Sequence, residues 1–307
     1  MNSCRVGFRG SRRGRPLIWL LTFLLFCTTI GSPRAHGAEP EVSKKAADGS
    51  ERREDYLVLP RGELFEPLVA DVQWPRISGE YQWRLGTDQF DRVAAVSFGE
   101  SFAFVRSPQT DWGEWEFGFQ AMVDAIFDMG SSSFDLSNED YFIGFAGSVL
   151  TQGVTTQIRI YHISSHVGDE YLIENGLTRK SVSFEVIDLL ASYEPRGWLR
   201  LYGGGGIMVK PHPSYDPIVT QFGVEMTSPT SFASGLLRPI FATDLQLRQE
   251  NDWIPEVSVL AGLRLASPED DVRRIEFIIR YYHGRSPEGQ FFDETIDSLG
   301  LGVRLGL

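Results

Sequence analysis

The sequence predicts an all-β fold, a transmembrane antiparallel β-barrel of about twelve strands, and three observations carry that expectation. The chain ends on Ser298-Leu299-Gly300-Leu301-Gly302-Val303-Arg304-Leu305-Gly306-Leu307, in which apolar residues alternate with small or polar ones to the last position. The same two-residue period recurs in segments of about ten residues, the length that crosses a bilayer as a tilted strand. Between these segments tight turns alternate with longer polar loops, as the two ends of an up-and-down barrel require.

In chain order, residues 1–38 read as a cleaved signal peptide. Arg5, Arg9, Arg12, Arg13 and Arg15 precede an apolar run from Leu17 to Ile30, and Ala35-His36-Gly37-Ala38 offers a small-residue cleavage site. That run is shorter than the roughly 18 to 20 residues a spanning helix needs. Export to the outer membrane is therefore the expected destination. Both cysteines, Cys4 and Cys27, fall in this leader, which leaves the remainder without thiol chemistry. Residues 39–76 read as a periplasmic linker or extension. Its first part, 39–55, is charged and poor in apolar residues, and 56–75 is more apolar but aperiodic, suited to packing under the barrel.

Residues 77–307 read as the barrel. Alternating segments start near Ile77, Val93, Gly113, Glu139, Val154, Lys180, Gly197, Pro217, Leu237, Ile254, Val272 and Thr295. In the third, Trp115, Phe117, Phe119, Ala121, Val123, Ala125 and Phe127 take the odd positions, and Glu116, Gly118, Gln120 and Asp124 the even ones. The tenth and eleventh repeat the pattern, with Val257, Val259, Ala261, Leu263 and Leu265 against Glu256, Ser258, Gly262 and Arg264, then Ile275, Phe277, Ile279 and Tyr281 against Arg274, Glu276 and Arg280. Short turns at 151–153, 195–197 and 267–270 mark the periplasmic end. The longer stretches 128–138, 165–178, 211–216 and 284–294 mark the outer one. A soluble sandwich or lipocalin-like barrel also alternates. It would have to bury the charged face of these strands, at several kcal/mol for each unpaired ion.

The charged lumen set, Glu116, Asp124, Arg159, Asp244, Arg248, Arg264, Glu276, Arg280 and Arg304, mixes signs and predicts cross-lumen ion pairs and a narrow or closed interior. Outside the leader 23 basic side chains face 41 acidic ones, a formal charge of −18, which excludes nucleic acid as a partner. The partners expected instead are outer-leaflet phospholipid or lipopolysaccharide, and the barrel assembly machinery during insertion. The four glycines at 203–206 do not form a phosphate loop, because Lys210-Pro211-His212-Pro213 follows rather than a helix; they relieve crowding in the seventh strand.

One constellation bears on chemistry: Tyr161-His162-Ile163-Ser164-Ser165-His166-Val167-Gly168-Asp169-Glu170. Parity from Val154 onward puts His162 and Ser164 on the lipid face, near the outer end of the fifth strand. Residues i and i+2 on one face lie roughly 6.5 to 7 Å apart, so the imidazole can serve as base to the hydroxyl. Glu174 or Asn175 is the expected third group, with Asp169 and Glu170 as alternatives. The second reading of the stretch is a metal site of His166, Asp169 and Glu170, with calcium the ion that suits an acidic outer loop. His162 and His166 share an ion only if the chain turns near Ser165, because an extended strand sets them about 13 Å apart.

His162-Ile163-Ser164 resembles the His-x-Ser pair of two outer-membrane enzyme families, the phospholipase A barrels and the lipid A 3-O-deacylase barrels. That resemblance implies a serine-type acyl hydrolase. Those families follow the serine with Asn and carry a polar or acidic third residue about a dozen positions later, whereas this chain has Ser165 and, twelve positions beyond Ser164, Gly176. A broader resemblance covers most of the chain beyond the leader. Leu64-Phe65-Glu66-Pro67-Leu68-Val69-Ala70-Asp71 with Trp74-Pro75, together with 161–170, is similar to the signatures of the domain of unknown function 1207 family, bacterial outer-membrane barrels. It implies fold and compartment but no reaction. Three functions follow as expectations: an outer-leaflet lipid hydrolase, a narrow channel, and a noncatalytic scaffold whose outer loops bind a partner.

Overall fold

The computed structural model describes residues 55–86, 90–175, 182–212 and 216–307. The leader lies outside them. A two-residue strand, β1 (Leu57–Val58), is followed by twelve long ones. These are β2 (Ile77–Leu85), β3 (Arg92–Arg106), β4 (Glu114–Asp128), β5 (Leu136–Thr151), β6 (Val154–Val167), β7 (Val182–Arg196), β8 (Leu199–His212), β9 (Ile218–Thr227), β10 (Leu237–Arg248), β11 (Pro255–Ser267), β12 (Asp270–Arg285) and β13 (Thr295–Gly306). Each pairs antiparallel with its sequence neighbours, and β13 pairs with β2 from Asp297↔Leu85 to Leu305↔Ile77, which closes the ring. The twelve-stranded barrel read from the pattern is the fold, with each strand starting within three residues of its expected position.

The two faces separate as the period demands. On β6, Gln157 and Arg159 are 2 % and 4 % exposed, whereas Ile158 and Ile160, one position away, are 49 % and 57 % exposed. Phe98, Phe145, Leu189 and Phe277 continue the outward apolar belt, as a bilayer-facing surface requires. No helix among the described residues is long and apolar enough to cross a membrane.

The segment expected beneath the barrel is inside it. Residues 60–76 enter the lumen from the turn end and reach toward the opposite end, where Gln73 Nε2 donates to the Pro287 carbonyl at 2.9 Å. A chain running through a lumen has no sheet ladder to satisfy its carbonyls, and a buried carbonyl without a partner is costly. Wall arginines supply the donors. Arg106 binds Gly62 O at 2.8 Å, Arg200 binds Glu66 O at 2.8 Å, Arg280 binds Ala70 O at 3.1 Å, and Arg304 binds Val69 O. Apolar contacts anchor the same segment. Phe65 and Trp74 are fully buried and stacked at 5.8 Å, and they pack with Leu68 against Leu190 and Tyr202 of the wall. The guanidinium of Arg159 lies 4.2 Å over the Trp74 ring.

This plug changes the expected charge network. The ion pairs run along the wall between adjacent strands rather than across the lumen, because the centre is occupied. Arg106–Glu116, Arg159–Asp188 (2.5 Å), Arg200–Glu225 (3.1 Å), Arg248–Glu256 (3.2 Å) and Arg264–Glu276 (2.9 Å) are all such neighbours. Two contacts skip a strand, and a lumen-facing glycine permits each. Arg280 of β12 reaches Glu80 of β2 at 3.2 Å across Gly300, where an added Cβ would lie 2.2 Å from Glu80 Oε1. Tyr202 of β8 donates to Asp244 of β10 at 2.6 Å across Gly223, where a Cβ would lie 2.1 Å from the tyrosine Cζ. In the glycine run of β8, a Cβ on Gly204 would lie 2.1 Å from Leu189 O of the adjacent strand β7.

The loop end is capped as well. Phe90, Tyr171 of the short helix α1 (Asp169–Asn175) and Phe291 pack ring to ring at 5.0 to 5.7 Å over Val93 and Ile126. The turn carrying Phe291 is pinned inward: Gly289 N donates to Asp140 at 2.9 Å, and Gln290 Nε2 donates to Ser165 O at 2.8 Å.

Candidate functional site

Strand β6 presents Thr155, Gln157, Arg159, Tyr161, Ile163 and Ser165 to the lumen side. By the same alternation Thr156, Ile158, Ile160, His162, Ser164 and His166 face outward. His162 and Ser164 therefore share the outward face, a few residues below the loop end. Their cross-strand neighbours follow from the register. Ser164 lies between Tyr141 of β5 and Ser183 of β7, and His162 between Ile143 and Glu185.

The carboxylate beside His162 is Glu185 of the adjacent strand β7. Its Oε1 lies 3.3 Å from His162 Nδ1, with the two side chains 50 % and 40 % exposed. A carboxylate on Nδ1 favours the tautomer that carries its proton there and leaves Nε2 with a free lone pair, the arrangement a histidine base needs. Glu174 instead sits exposed on α1, and among the described residues no hydrogen bond or ion pair joins it to His162. The side chain of Asn175 lies outside the described residues. Glu185 was missed because it stands on the next strand, beyond a long connection. The available signal was parity: it is a charged residue among the outward positions Ser183, Ile187, Leu189 and Tyr193 of an otherwise greasy face.

The residues read as a metal site line one hollow at the loop end. His166, Asp169 and Glu170 border it together with Glu139. They do not converge. Among the described residues no group of three or more His, Cys, Asp or Glu side chains is placed to hold an ion. The nearby contacts are of other kinds, with Tyr141 donating to Glu139 at 3.1 Å and its ring meeting His166 edge-on at 5.7 Å. As placed, these side chains do not fit calcium.

A second outward histidine–carboxylate pair exists at the same end of the barrel. His283 Nδ1 lies 2.7 Å from Asp297 Oδ1, and Tyr281 donates to the same oxygen at 2.9 Å. No serine accompanies it at i+2, where Arg285 stands. The His–acid contact thus recurs on the rim, and the serine sets the first apart.

The family model described as a protein of unknown function, DUF1207, matches residues 32–307. No curated protein sequence matches the chain. Among solved structures, outer membrane phospholipase A from Escherichia coli is similar, with TM-score 0.51 and 11% identity, over 76% of this chain and 92% of that one. The Salmonella typhi outer membrane phospholipase dimer with bound calcium aligns with TM-score 0.50 and 11% identity, over the same shares of the two chains. At this identity the likeness is one of fold, an outer-membrane type of barrel.

Proposed function

The chain belongs to the family of proteins of unknown function DUF1207, and from that premise we propose that this member is an acyl-ester hydrolase working on outer-leaflet lipid. One observation carries the reading: His162 is held by Glu185 through Nδ1 while Ser164 stands two residues away on the same bilayer-facing surface. The phospholipase activity in the names of two barrels of like fold agrees with it. The plug and the wall ion pairs count against a standing pore.

In the proposed step, Nε2 of His162 takes the proton as Ser164 Oγ bonds to the ester carbonyl carbon. The carbonyl oxygen becomes an oxyanion, and the hydroxyl of Ser183, in register with Ser164 on β7, serves as a donor to it. The C–O bond then breaks and the leaving alkoxide takes the proton from Nε2. Water, deprotonated by the same nitrogen, releases the fatty acid and restores Ser164. The Glu185 carboxylate holds the imidazolium.

The test is release of fatty acid from phospholipid by the refolded barrel, wild type beside Ser164→Ala and Glu185→Gln. Loss of about 10³-fold or more in Ser164→Ala is expected, with an intermediate loss in Glu185→Gln. Equal release by wild type and Ser164→Ala, or none from either when heat-modifiable gel mobility shows both folded, overturns the reading.

A further inference from the structure

The geometry points to a binding site for a small oxyanion, a phosphate or a carboxylate, in a cavity at the turn end of the barrel, clamped by Arg304 and Arg76. The cavity measures 490 Å³ and lies between the plug and the wall formed by β12, β13 and β3. That is within the range of ligand sites, roughly 300 to 1,000 Å³. Its lining includes exposed Arg61 and Arg273 and the terminal Leu307, so its mouth is at the turn end.

Two guanidinium groups that line it are each left with buried, unpartnered nitrogens. Arg304 is 5 % exposed, donates through Nη1 to Val69 O, and leaves Nε and Nη2 without a partner. Arg76 shares the same carbonyl at 3.4 Å, donates through Nε to Trp74 O at 2.8 Å, and leaves Nη2 without a partner. Buried polar groups of native proteins are nearly always bonded, and a guanidinium pays more than a neutral group for being left bare.

The natural protein partner is already engaged. Glu276 is the residue opposite Arg304 in the ladder, but its Oε1 binds Arg264 at 2.9 Å and Arg274 at 3.4 Å. Arg264 and Arg274 thus share one carboxylate, Arg304 stands opposite it in the ladder, and Arg76 adds a further positive charge. The excess suits an anion with two oxygens, since a guanidinium edge bonds such a group bidentately. Glu63, Glu66 and Glu100 also line the cavity. Glu100 accepts from the Ser101 N–H at 3.2 Å. Burial raises the Glu63 carboxyl to about 8, toward the neutral form, which does not repel an anion.

Ser101 lines the same cavity and gives a reporter. The full chain is made with Cys4 and Cys27 replaced by Ser and Ser101→Cys introduced, refolded, and labelled with a maleimide against inorganic phosphate, acetate, short-chain phosphatidic acid, or chloride at equal ionic strength. Saturable protection by phosphate or acetate, weakened about tenfold or more by Arg304→Gln, supports a site for a free oxyanion. Protection by phosphatidic acid alone with the same Arg304→Gln effect supports the site and assigns the oxyanion to a lipid headgroup. Should Arg304→Gln fail to refold, Arg76→Gln takes its place. Protection by chloride alone to the same extent, protection unchanged in both arginine variants, or no protection by any oxyanion overturns the inference.

Discussion

Trp74→Ala tests whether the plug seals the barrel. Trp74 is fully buried, stacks on Phe65, and carries the Arg159 guanidinium 4.2 Å above its ring. Truncating a buried tryptophan to alanine costs about 3–5 kcal/mol, here drawn from the docking of residues 60–76 against the wall. The bare Arg159 keeps its two-oxygen contact with Asp188, so the wall itself stays intact. At 1.4 kcal/mol for each factor of ten, a loss of about 4 kcal/mol raises the undocked population about 10³-fold. The assay is single-barrel conductance in a planar bilayer, with proteolysis from the turn end as a second readout. Wild type stays closed, and Trp74→Ala shows frequent openings and earlier cleavage within the plug. A variant that folds yet conducts no more than wild type and keeps full protease protection would refute the claim that this side chain locks the lumen.

Three further outcomes follow from the same structure. Asp188→Asn leaves the buried Arg159 without its carboxylate, and denaturant unfolding of the barrel shows a loss of about 3–5 kcal/mol. Glu63 gives the plug a pH dependence. Its carboxyl sits at about 8 in the fold against 4.5 for a free glutamate, so its stabilisation is complete below about 4.5 and falls as pH rises toward 8. Protease protection of the plug therefore weakens across that window in wild type and stays level in Glu63→Gln; a level profile in both sinks the assignment. Arg304→Gln, finally, weakens phosphate protection of a cysteine at position 101 about tenfold or more.

The barrel was legible because a bilayer imposes a period of two on every strand, and a period survives ignorance of partners. Trp115 to Phe127 announce which residues face outward before any neighbour is known, and the same parity placed His162 and Ser164 on the outer surface. The plug was not legible. Leu64 to Trp74 has no period, since it is held by single arginines reaching from seven strands away or more in sequence, and their targets are carbonyls that no side-chain pattern marks. Glu185 was hidden for a related reason. Its relation to His162 is a matter of register between β6 and β7, and register depends on the length of the connection that separates them. The aperiodic, apolar character of 56–75 was the one trace of the plug in the sequence: a segment rich in buried anchors yet unsuited to a strand.

Acyl release from phospholipid and lipopolysaccharide by the detergent-refolded barrel, with Ser164→Ala and Glu185→Gln run beside wild type, tests the central claim most directly. The account predicts release by wild type, loss of about 10³-fold or more in Ser164→Ala, and a partial loss in Glu185→Gln that leaves the fold unchanged. Release that persists in Ser164→Ala, or a folded wild type that releases nothing from either lipid, would contradict it.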